Sequence, residues 1–188
     1  RLAALKGISV AVSGPGGGNE QIVRYLAAEA GLDADRDMTL VSLGATPNMV
    51  AAYSQDRVDA LSAAPPNDRL ALHEFGGMMY FNLGAGEVPT LVGYLGSGVA
   101  ARADWLAKNP AVATGFVKAL QMGYDGMHDA ARTDQIRDLV YKARYSAIDK
   151  ALFAEIWKDL VAGAPKTPEV TKPMIDKLVN FTNRFSRE

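Results

Sequence analysis

Cysteine is absent from the 188 residues. That excludes disulfides, thiolate nucleophiles and cysteine-based zinc sites together, and it fits either redox compartment. Histidine is nearly absent. His73 and His128 stand far apart in the chain, so a histidine-rich metal site is not expected. An excess of one charge is missing as well: 20 basic and 21 acidic residues give a net charge of −1. A surface able to neutralise a phosphate backbone or an acidic membrane would be basic, so nucleic acid is not an expected partner. Long apolar runs are also lacking. The longest uncharged stretch, Met38–Gln55, is broken by Gly44, Pro47 and polar residues, and Val88–Ala101 is shorter still. Neither reaches the roughly 20 apolar residues of a membrane span. No signal peptide is visible. The chain opens at Arg1 without Met, which reads as a processed chain or a piece of a longer one.

The remainder is ordinary globular composition, 48% hydrophobic and 22% charged, enough for one core or two small lobes. The halves differ. Residues 1–95 hold 12 of the 18 glycines and a net charge of −4; residues 96–188 carry +3. The first half has the punctuation of alternating strands and helices, the second of helices joined by polar turns.

Ile8–Ser13 is short, β-branched and bounded by glycines, which predicts a strand. Thr39–Leu43 and Val58–Ala63 are expected to be two more, and Met78–Asn82 a fourth. Thr90–Leu95 and Val99–Ala101 read as extended pieces. Helices are expected over Glu20–Ala30, ended by Gly31, from Thr46-Pro47 to Gln55, and from an Asn67 cap to Glu74. Four more are expected downstream. One runs from Asn109-Pro110 to Met127 and one starts at a Thr133 cap. A third opens at a Ser146/Asp149 box, and the last starts at Thr171. This alternation predicts an α/β fold with a mostly parallel sheet, in which ligands bind beyond the carboxyl ends of the strands.

Three loops lie at those ends. Ser13-Gly14-Pro15-Gly16-Gly17-Gly18-Asn19 joins a strand to a helix. Its glycines allow close backbone approach, and the helix start offers N–H groups and positive potential. It lacks the lysine of a P-loop, and Asn19 stands where a dinucleotide fingerprint has its third glycine. The plain alternative is a flexible connection; contact with an anion or polar ligand is the favoured reading. Gly44 and Thr46 follow the second strand, Thr46 reading as a helix cap that could also face a cleft. Pro65 and Asn67 follow the third, where a simple strand-to-helix turn is equally good. No catalytic constellation is expected: Ser13 has no histidine within sequence reach, and both histidines read as solvated or core-edge residues.

Leu5–Val12 followed by the glycine turn resembles the opening of the second lobe of ABC-transporter substrate-binding proteins of the nitrate, sulfonate, taurine and thiamine-precursor type. Ala30-Gly31-Leu32-Asp33 before Thr39–Leu43, Gln55–Ala60, and Val99–Pro110 with Phe116–Leu120 resemble further stretches in the same order. The resemblance covers about residues 5–186. It implies a periplasmic-binding-protein type 2 lobe over 1–95. A hinge strand within Pro89–Ala101 and the helical return to a first lobe, whose N-terminal part lies outside this chain, would fill 96–188. It implies capture of a small anionic or polar organic solute, delivery to the membrane subunits of an ABC permease, no cofactor and no catalysis. It also implies a periplasmic or membrane-anchored extracytoplasmic location. Many members have Ser or Thr where Gly16-Gly17-Gly18 stands, so backbone N–H contacts are expected here. Exposed apolar faces on the later helices are expected to favour dimers. Three other classes share parts of this pattern. They are a regulator's effector domain, a thiamine-pyrimidine enzyme, which zero cysteine disfavours, and a plain nucleotide-binding domain.

Overall fold

The structure, a computed structural model, describes residues 2–185; Arg1 and residues 186–188, the tips of the expected 1–95 and 96–188 domains, lie outside it. The chain forms two compact units. One holds the residues up to Asn82 and those from Pro173 onward, and the other is Leu83–Lys172.

The first unit is built on a parallel sheet of three strands, β1 (Ser9–Val12), β2 (Thr39–Ser42) and β3 (Ala60–Leu61), in the order β2-β1-β3. Ser9 lies opposite Thr39 and Val10 opposite Ala60. Val10, Ala11 and Val12 are all buried, as expected of a central strand covered on both faces. Helices α1 (Gly18–Glu29), α2 (Ala34–Asp37), α3 (Thr46–Ser54) and α4 (Asn67–Phe75) connect and follow the strands. Met49 and Ala52 of α3 pack with Ala11 and Val58 in a core flanked by Val41, Leu43, Tyr53 and Leu61. Full burial of a side chain the size of Met49 contributes about 1.5–3 kcal/mol. Gly31, at φ +72°, closes α1 in the left-handed conformation that favours glycine. A last helix, α9 (Lys172–Phe185), adds Phe181 and Phe185 to this unit. Tyr25 of α1 meets their rings at 5.6 and 5.4 Å.

Three expectations are corrected here. Met78–Asn82 is no strand. It follows a left-handed Gly76, Met78 is 83% exposed, and Tyr80 and Phe81 stack edge-on with each other. Local apolar content is there, but no strand pairs with it among the described residues. The expected third strand shortens to Ala60–Leu61. Thr90–Leu95 and Val99–Ala101 join no ladder among the described residues: Pro89–Leu91 is a 3₁₀ turn, and Gly86 and Gly93 take positive φ. Glycines at this density weaken strands.

The second unit contains α5 (Ala103–Lys108), α6 (Pro110–His128), α7 (Thr133–Val140) and α8 (Lys150–Gly163). Between α7 and α8 lies one π-type turn, Tyr141–Tyr145. Phe153 and Ile156 of α8 are almost wholly buried. Tyr141 and Tyr145 pack on Phe153 at 5.3 and 5.1 Å. The α8 cap is Asp149, whose carboxylate accepts from the Ala151 and Leu152 amides; Ser146, the expected cap, lies before it. Thr133 is likewise the first helical residue rather than a cap, and its hydroxyl accepts from Trp157 Nε1 at 3.0 Å. Gly126 lets α6 approach α7: a Cβ there would stand 3.2 Å from Ile136.

Candidate functional site

Parallel strands place their carboxyl ends together, and two hydrogen bonds join the loops that follow them. The Gly44 N–H donates to the Ser13 carbonyl at 3.0 Å. The Asn19 side-chain amide donates to the Ser62 carbonyl at 2.7 Å and its oxygen accepts from the Ser13 hydroxyl at 3.0 Å. Ser13 and Asn19 thus sit at the centre of this edge, with the loop after β2 on one side and that after β3 on the other. Residues 13–19, 42–46 and 62–67 contain no charged side chain. The surface they form is made of hydroxyls, amides and backbone.

The glycine loop has a set shape. Gly16 takes φ +74°, a region open to glycine at little cost. Both of its polar groups are held by the first turn of α1. Its N–H donates to Glu20 Oε2 at 2.6 Å, and its carbonyl accepts from Gln21 Nε2 at 2.9 Å. The Gly17 N–H donates to the Gly14 carbonyl at 3.0 Å, and Gly17 caps α1 in extended backbone. A Cβ on Gly17 would come within 2.6 Å of Ser13 Oγ, whereas Gly14 and Gly18 face open space. Gly18 and Asn19 occupy the first helical positions, whose N–H groups have no acceptor inside the helix. Pro15 and Gly18 of the first loop, Ser42, Gly44 and Ala45 of the second and Ala64 of the third are exposed, and the other residues of these loops are half-buried.

Glu20 and Gln21, absent from the sequence-derived candidates, are the buried polar residues behind this loop, 3% and 5% exposed. Glu20 Oε1 accepts from Arg24 Nε and Nη2 at 3.0 and 2.8 Å, and Arg24 donates on to both oxygens of Asp35. Gln21 Oε1 accepts from Thr182 of α9 at 3.5 Å. The i,i+4 spacing of Glu20 and Arg24 was a readable signal of this pair.

Thr46, Pro65 and Asn67 flank the edge, but no hydrogen bond ties them to the glycine loop among the described residues. The cap of α3 is Ala45, not Thr46, because the Ala45 carbonyl accepts the Asn48 amide at 2.9 Å. Asn67 likewise begins α4 after a Pro66 cap, with its N–H turned back to the Ala64 carbonyl. The Pro65-Pro66 peptide is cis.

The opposite edge of the sheet is closed by Asp59. Its Oδ2 accepts from the Ser9 hydroxyl at 2.6 Å and the Ser9 N–H at 2.7 Å. The hydroxyl bond, then the backbone bond, hold this carboxyl below its ordinary value. The aspartate read as part of a family stretch therefore fastens β1 to the start of β3, away from the loops. Both histidines are exposed; His128 Nε2 lies 3.2 Å from the Pro165 carbonyl.

Residues 1–139 match the NMT1-like family. The chain belongs to that family. The NMT1-like match takes in all three strands, their loops and most of α7. The nitrate/nitrite binding protein NrtA of Synechococcus elongatus is 29% identical over 146 residues, which is 77% of this chain and 32% of that protein. The chain thus spans about a third of the length of this curated relative. No solved structure matches the chain significantly. No described helix is long and apolar enough to cross a membrane. The dimer expected from the later helices gains no support from these likenesses.

Proposed function

We propose that this NMT1-like chain is part of the solute-binding component of an ABC importer. In this reading residues 1–95 form the ligand-binding lobe, on which α9 packs, and the remainder of residues 96–188 supplies the hinge and the helical return to a first lobe. The solute is small, and anionic or polar. The observation that carries the proposal is the carboxyl edge, where three uncharged, glycine- and proline-rich loops are drawn together around Ser13 and Asn19. Such an edge is where open parallel sheets take ligands. Its donors are fixed before any ligand arrives, which spares the ordering entropy of binding. The family and the NrtA relative point the same way.

The proposed ligand contacts are Ser13, Gly14, Gly16, Gly17, Gly18, Asn19, Gly44, Thr46, Pro65 and Asn67. Closure of two lobes would bury the solute, and a membrane permease would read the closed shape from the extracytoplasmic side. No bond of the solute need be made or broken. Calorimetric titration of the full-length protein with nitrate, methanesulfonate, taurine and an aminopyrimidine tests the reading. One-to-one binding of a panel solute, lost in a loop variant, is expected. Binding to none of them, in a folded protein, contradicts it.

A further inference from the structure

We infer that α9 is a clasp on the glycine loop: Thr182 of α9 fixes the Gln21 amide and that amide fixes Gly16, so that Gln21 and Thr182 are positioning residues for the proposed site. The inference rests on the solute-binding reading above for what the loop does, and adds that the last helix of the chain controls it. Gly16, at φ +74°, has no side chain to hold its conformation, so hydrogen bonds must remove its freedom. Its N–H is held from α1 itself, by Glu20 at 2.6 Å. Its carbonyl accepts from Gln21 Nε2 at 2.9 Å. A carbonyl takes only a donor, so the nitrogen of the Gln21 amide faces the loop and its oxygen is left for another partner. That partner is the Thr182 hydroxyl, which donates at 3.5 Å across 161 positions of sequence.

The two helices meet along one face each. Gln21 and Tyr25 stand four residues apart on α1, and Phe181, Thr182 and Phe185 share a side of α9. The Tyr25 ring lies 5.6 Å from that of Phe181 and 5.4 Å from that of Phe185. All three rings are buried, and Gln21 is 5% exposed. The rings seat α9, and the seat brings a hydroxyl to a buried amide that reaches the loop. A buried amide oxygen without a partner is costly, so the amide keeps its orientation while α9 is docked. Undocking α9 would free Gln21 and then the Gly16 carbonyl, while the ladder of the sheet persists. The link runs both ways: a solute that holds the loop would also tighten α9.

Amide hydrogen exchange in the full-length protein, followed by nuclear magnetic resonance, reads the clasp without a solute. Thr182 is half-buried; Thr182→Val keeps its branched shape and removes the hydroxyl. The Gly16 amide is expected to exchange at least about threefold faster in Thr182→Val, the scale of one lost hydrogen bond. The Ala11 and Val12 amides of β1 should keep their rates, and Thr182→Ser should match the unmodified protein. A smaller change at Gly16, an equal change in Thr182→Ser, or an acceleration that β1 shares overturns the inference. If Thr182→Val loses its dispersed spectrum, Thr182→Ala is read by the same criterion. Failure of the solute panel above would sink the transport reading, while exchange at Gly16 alone decides the clasp.

Discussion

Gly17 and Gly18 are neighbours, yet one methyl group has different consequences at each. A Cβ at Gly17 would stand 2.6 Å from the Ser13 hydroxyl and 3.0 Å from the Gly14 carbonyl, while Gly18 has nothing within 4 Å. Gly17→Val is expected to cost about 1–3 kcal/mol of stability, as overpacking does, and to weaken solute binding by over roughly tenfold. Gly18→Ala should stay within about 0.5 kcal/mol of the unmodified protein. Thermal unfolding and calorimetry of the two variants check this, and equal effects would contradict the loop geometry. The sequence made the loop legible, but not which glycine is constrained. The positive φ belongs to Gly16, and Gly17 is limited by contact instead. Asp59 gives a pH test. Its folded carboxyl titrates below its ordinary value, because Ser9 bonds the ionised form. An unfolded Asp titrates near pH 4. The stabilisation is therefore complete above that value and disappears as pH falls through the lowered one. Denaturant melts of the protein and Asp59→Ala should differ at pH 7 and converge under acid. A gap that widens toward low pH would contradict the assignment.

Among the elements, those whose apolar spacing runs for several turns were readable from sequence, and those that need a partner were not. The α1, α3, α6, α8 and α9 segments lie where their 3.6-residue patterns put them. Met78–Asn82 looked like a strand because it is apolar, but a strand exists only where another can pair with it. Caps were misplaced by one to three residues for a related reason. A Ser, Thr or Asn near a helix start has several backbone groups within reach, and the sequence does not choose among them. Glu20 and Gln21 escaped notice because they look like an exposed first turn, and only the fold shows them buried behind Gly16. The corrected cap of α8 is testable. Asp149→Ala should lower stability by about 1 kcal/mol, whereas Ser146→Ala should be nearly neutral. Urea melts would refute the assignment if Ser146 proved the costly position.

At the scale of the molecule, the change of composition along the chain corresponds to a change of architecture. The acidic, glycine-rich half supplies the sheet and its loops; the basic half supplies α6, α7 and α8. On α6, Val112, Phe116, Val117 and Met122 are exposed, as anticipated for the later helices. The central proposal is capture without chemistry, and neither histidine lies on the loops proposed to take the solute. His73→Gln and His128→Gln are each expected to leave solute affinity within about 1 kcal/mol, the scale of an ordinary surface change. An imidazole acting as a base would instead supply roughly 10²–10⁴ in rate. The most direct measurement is mass spectrometry of the solute recovered after prolonged incubation with the full-length protein, using whichever panel solute raises its melting temperature most. Return of that solute unaltered, at one equivalent per protein, is the predicted result. Conversion of the solute, abolished by either histidine substitution, would contradict the account and make the protein an enzyme.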